Sequence, residues 1–95
     1  MAVAHGSALR RLREKMNITR EDIVRHAQVS LGTIRSAEHG NVITYRKAMQ
    51  ILRGLNYCLR RLRQPEVTSV EELGLNIRDT DLEPFRVVSP VEAAS

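Results

Sequence analysis

The feature that most limits what this chain can fold into is a pair of helix-start signals, Thr19 and Ser30, eleven residues apart. A hydroxyl at such a position accepts a hydrogen bond from a backbone N–H two or three residues on, which the first helical turn otherwise leaves unpaired. Thr19 is followed by Asp22, an approximate capping box with Asp in place of the better Glu. Ile23, Ala27, Val29, Ile34 and Ala37 supply the apolar side of both segments. The spacing predicts a helix over about 20–27, a tight turn, and a helix over about 31–38 that Gly40 ends in left-handed conformation.

The same signals extend outward. Ser7 caps a helix over about 8–16, with Leu9, Leu12 and Met16 on one face and Arg10, Arg11, Arg13 and Lys15 on the remaining surface. Asn17 closes it, and Ile18 is placed as a hydrophobic staple before the next cap. Thr44 opens a fourth helix with Ala48, Ile51, Leu52 and Leu55 inward. Asn56 opens a fifth, with Leu59 and Leu62 inward and Arg60, Arg61 and Arg63 outward, until Gln64-Pro65 stops it. Residues 7–63 therefore read as an all-α bundle of five short helices.

Past Pro65 the composition changes. Ser69 with Glu72 repeats the capping-box pattern, so a one-turn helix ending at Gly74 is predicted. Val67, Val70, Leu73, Leu75 and Ile77 are too apolar to leave in water. Segment 64–77 either covers the bundle or pairs with a second copy, and dimerisation is the expected use. Residues 78–95, with their acids, Pro84 and Pro90, read as a flexible acidic tail whose one sticky element is Phe85-Arg-Val-Val88.

Composition excludes several functions. The chain is 95 residues, one small domain, and with only 3% aromatic residues its core must be aliphatic. One cysteine, Cys58, rules out an intramolecular disulfide and a Cys-rich zinc site. His5, His26 and His39 lack ligand spacing, so neither metal nor cofactor is expected. Cys58 has no His/acid pairing to activate it and reads as a small interior hydrophobe; the chain is not expected to be an enzyme. No apolar run approaches the roughly 18 residues of a membrane span, and no apolar leader is visible, so the expected location is cytoplasmic.

Charge adds a positive indication. Residues 1–63 hold 13 Lys/Arg against 4 acids, a balance of +9, whereas 64–95 hold 2 Arg against 7 acids, a balance of −5. A basic head of this density is an electrostatic footprint for a polyanion. It coincides with the helix, tight turn and helix of 20–38, the geometry that lays an exposed helix into a DNA groove.

Several short matches in order strengthen that indication. They are Leu9-Arg-Arg-Leu-Arg13, Thr19-Arg-Glu-Asp-Ile23, Val29-Ser30, Thr33-Ile34, Glu38-His-Gly40 and the stretch from Ala48 to Asn56. With these, about half of the chain resembles the Cro/CI (XRE-type) helix-turn-helix family. The resemblance implies a five-helix, repressor-like helix-turn-helix bundle with a short C-terminal extension, acting on double-stranded DNA as a homodimer. Carried over residue by residue, it implies a phosphate contact for Arg20 and base-facing positions for Leu31, Gly32, Thr33, Arg35 and Ser36. It also implies backbone contacts for His39, Asn41, Tyr45 and Arg46, core positions for Ile34 and Ala37, and an internal polar contact for Glu38.

Two departures stand out. Relatives often carry a positive-φ glycine in the inter-helix turn, where this chain has Gln28. A side chain there costs about 1–2 kcal/mol, so Gln28 is either strained or the turn differs. Of the base-facing residues, only Arg35 can pair bidentately with guanine. The expected function is a sequence-specific transcriptional regulator, a dimeric repressor reading the major groove with helix 31–38. The alternative is an antitoxin or protein-binding adaptor that uses residues 64–95 as its partner site.

Overall fold

The computed structural model describes residues 7–78, and among these the fold is all-α with no strand. Four helices follow in order: α1 (Ala8–Lys15), α2 (Arg20–Arg25), α3 (Leu31–Glu38) and α4 (Tyr45–Arg61). One turn of 3₁₀ helix, Val70–Leu73, comes after them. His5 and the acidic tail from residue 79, including Phe85-Arg-Val-Val88, lie outside the described residues.

Each helix begins at its hydroxyl signal, because capping is settled within three residues of chain. Ser7, Thr19, Ser30 and Thr44 accept hydrogen bonds from the N–H groups of Arg10, Asp22, Thr33 and Lys47 at 3.0–3.2 Å. Asp22 closes the box at Thr19, its carboxylate accepting the Thr19 N–H at 2.9 Å.

Three helix ends are equally local. Asn17, Gly40 and Arg63 have φ of 58°, 91° and 58°. The next residue of each donates back into the last turn: Ile18 to Arg13, Asn41 to Ser36 and Gln64 to Leu59, at 2.9–3.1 Å. The end of α2 is different. Among the described residues only Asn17 and Arg63 are non-glycine residues with positive φ, so Gln28 is not left-handed and the strain considered for it does not arise. This turn differs from one built on a positive-φ glycine.

The expected fourth and fifth helices are one helix. α4 runs without a break through Gly54 and through Asn56, the expected start of a fifth helix. Both serve tertiary contacts instead. A Cβ at Gly54 would lie 2.6 Å from the Ile23 carbonyl oxygen and 2.9 Å from the Ala27 Cβ, so the missing side chain lets α2 seat directly on α4. The Asn56 amide pairs with the backbone of Val67, donating to its C=O at 2.9 Å and accepting its N–H at 2.7 Å. Leu62, expected inward, is 48% exposed, because α4 passes beyond the bundle there and the chain turns at Arg63.

The core is aliphatic, with Leu9, Ile18, Ile23, Ile34, Ile51, Leu55 and Leu59 nearly solvent-free. Each such side chain contributes about 1.5–3 kcal/mol over leaving it exposed. Val70 and Leu73, at 1% exposure, belong to this same core, and Val67, Leu75 and Ile77 pack half-buried against it. The segment thus covers the bundle, with Val70 and Leu73, its two most buried residues, packed into the chain's own core. Beyond Leu75 the segment lies parallel to the loop before α4. Asn76 C=O accepts from Ile43 N–H, and Arg78 N–H donates to Ile43 C=O, both at 3.0 Å.

Candidate functional site

α3 is a two-turn helix, too short to hold its shape alone, and its position is set by polar contacts at both ends and beneath. At its start the Ser30 and Thr33 hydroxyls are 3.0 Å apart, beyond the cap bond they share. At its end the Asn41 amide donates to Ser36 Oγ at 2.8 Å. Beneath it lies an arginine–glutamate–arginine cluster. Glu38 has a fully buried side chain and accepts Arg13 Nε at 2.8 Å, Arg13 Nη2 at 3.1 Å and Arg20 Nε at 3.0 Å. Arg13 also donates to the Ile18 carbonyl at 3.3 Å. One carboxylate thus ties α1 and α2 to the last turn of α3.

The cluster assigns Glu38 the internal contact that the resemblance implied. Arg13, expected on the surface, is buried in this cluster. The signal was present, since Arg13 is four residues beyond Leu9 on the same face of α1. Arg20, expected on a phosphate, is half-buried and directs its guanidinium at Glu38.

The N-terminal half of α3 borders an open groove of about 490 Å³ between itself and the start of α4. Gly32, Thr33 and Ser36 line it from α3, Thr44 and Lys47 from α4, and Arg78 from the returning C-terminal segment. Of the expected site residues, the groove therefore gathers Gly32, Thr33 and Ser36. Arg35, His39, Asn41, Tyr45 and Arg46 are exposed outside the groove lining, and Leu31 is half-buried. Sequence reasoning missed Lys47 and Arg78. Lys47 directly follows an expected contact and could have been found; Arg78 joins only because the chain returns to Ile43.

Charge divides the surface further. Arg10, Arg25 and Arg60 pair with Glu14, Asp22 and Glu66. Among the described residues, Arg35, Arg46, Lys47 and Arg78 pair with no carboxylate. Such a cluster presents donors and positive charge to an anionic ligand without first breaking an internal pair.

A second groove of about 600 Å³ lies between the α1–α2 loop and the end of α4, lined by Met16, His26, Tyr57, Cys58 and Leu62 among others. His26 stacks on Tyr57 with ring centroids 3.7 Å apart. Burial pushes the Cys58 thiol above its ordinary value, which disfavours the thiolate. No group of three metal-ligating side chains occurs among the described residues, and no helix among them is long and apolar enough to cross a membrane.

No family model matches the chain, and neither does any curated protein or solved structure.

Proposed function

We propose that this protein is a sequence-specific double-stranded DNA-binding regulator, a dimeric repressor that lays α3 in the major groove. One observation carries the reading: a short braced helix that exposes Arg35 and borders a groove lined by Lys47 and Arg78, cations with no carboxylate partner among the described residues. Arg35 reads guanine, with Gly32, Thr33 and Ser36 close to the DNA and Leu31 limited to thymine methyls. His39, Asn41, Tyr45, Arg46 and Lys47 hold the sugar–phosphate backbone. Arg20 steadies α3 through Glu38, with its remaining donors directed to phosphate. Two copies act on half-sites about one helical turn, roughly 34 Å, apart.

The test is selection of bound sites from random duplexes, followed by titration of two variants. Arg35→Ala should lose about 1–3 kcal/mol of preference for its site. Arg46→Ala should weaken all duplexes evenly and reduce the salt slope by about one. Unchanged binding by both variants removes the recognition surface described here. The second reading is an antitoxin or protein-binding adaptor with residues 64–95 as its partner site. Failure of the purified chain to shift any duplex at physiological salt would favour it.

A further inference from the structure

The C-terminal segment ends its described course at the groove beside α3. Arg78 donates its N–H to the Ile43 carbonyl at 3.0 Å, next to the Thr44 cap of α4, and lines the groove with Lys47, Thr33 and Ser36. The next five residues are Asp79, Thr80, Asp81, Leu82 and Glu83. Three carboxylates at alternate positions therefore follow directly from an anchor on the groove's rim. In an extended chain, alternate side chains share one side and stand about 6.6 Å apart.

We propose that Asp79, Asp81 and Glu83 form a built-in competitor for the α3–α4 groove, pairing with Lys47, Arg78 and the neighbouring Arg46 in place of phosphate. This regulation rests on the DNA-binding reading; the docking of the segment does not. Charge complementarity carries the assignment, because these cations have no carboxylate partner among the described residues. Reach carries it as well, since five residues span at most about 18 Å and the first begins at the groove. Tethering of this kind supplies an effective concentration in the millimolar range without a tight intrinsic contact. Exposed ion pairs are screened by salt, so the competition is strongest at low ionic strength.

The experiment compares the full chain with the triple variant Asp79→Asn, Asp81→Asn, Glu83→Gln. A control, Glu66→Gln, Glu71→Gln, Glu92→Gln, changes the net charge equally elsewhere. With a random-sequence duplex at about 50 mM salt, the triple variant should bind about tenfold tighter, a gain that shrinks by 200 mM. The control should stay within about twofold of the parent. Backbone amides of Gly32, Thr33, Ser36 and Lys47 should shift between parent and triple variant without DNA, and salt should move the parent's signals toward the variant's.

Unmoved amides overturn the docking, whatever the affinities do. An equal gain in the control overturns it too, because net charge would then be the cause. Moved amides in a chain that binds no duplex support the docking and remove the DNA-binding reading. A parent that binds DNA with the same affinity as the triple variant overturns the competition and leaves that reading standing.

Discussion

Two sets of cations in this small bundle have opposite surroundings. Arg13 and Arg20 converge on the buried Glu38 and share its one carboxylate where α1, α2 and α3 meet. Arg35 on α3, Arg46 and Lys47 in the first turn of α4, and Arg78 on the returning segment are exposed and pair with no carboxylate among the described residues. The comparison teaches that net charge is a poor guide to a basic site. Each guanidinium of the first set bonds to a buried carboxylate, whereas the cations of the second meet none among the described residues. The first set also braces the helix that carries Arg35.

The largest effect should come from removing the shared carboxylate. Glu38→Ala leaves two guanidiniums facing each other across a vacated site and should lower stability by about 3 kcal/mol, a Tm drop of roughly 12–24 °C. The lower part of the range for breaking a buried pair applies because Arg20 retains partial access to water. Glu38→Gln, which keeps one acceptor oxygen, should lose less. If both variants melted with the parent, the cluster would be an ornament of the fold rather than its brace.

The packing beneath the cluster offers a second test. Gly54→Ala gains about 1 kcal/mol of helix propensity but sets a methyl against the Ile23 carbonyl, and overpacking of this kind costs about 1–3 kcal/mol. The clash should win, with a lower Tm and amide shifts concentrated in α2. On the other side of the comparison, Arg35→Ala and Arg46→Ala should each change stability by less than about 0.5 kcal/mol by urea melt while altering DNA binding. Thermal loss comparable to Glu38→Ala would move these residues into the structural set.

Two smaller effects concern the ends of α2. With no positive φ at Gln28, Gln28→Gly relieves nothing and enlarges the unfolded ensemble, so it should cost about 0.4–1 kcal/mol. At the other end, bonds from the Thr19 backbone and hydroxyl groups hold the Asp22 carboxyl below the ordinary value of 3.8. Because the folded value is lowered, the contribution of this carboxylate is present above pH 3.8 and is lost as pH falls through the lowered value. An NMR titration should give an Asp22 midpoint below 3.8, and Thr19→Ala should return it upward.

Legibility followed the range of the interactions. The four starts at Ser7, Thr19, Ser30 and Thr44 were readable because cap and capped N–H lie three residues apart. The left-handed ends at Asn17 and Gly40 were readable for the same reason. At the candidate site, the exposure of Arg35 and the internal role of Glu38 were anticipated, whereas Lys47 and Arg78 were not. The i, i+4 spacing from Leu9 places Arg13 on the inner face of α1, but the carboxylate that lets it stay there is 25 residues away, so its pairing is not readable from the helix alone.

The chain by itself determined its helical class, the first residue of each helix, the aliphatic character of its core and the separation of basic head from acidic tail. These follow from short-range hydrogen bonding, periodicity and composition. Only the tertiary structure decided that Gly54 and Asn56 lie inside one helix, that Val70 and Leu73 fill the bundle, and which arginines share a buried carboxylate. In each case a residue's local preference was outweighed by a partner distant in sequence. The close seating of α2 on α4, the amide clamp on Val67 and the buried carboxylate beneath α3 all arise when the chain folds back on itself.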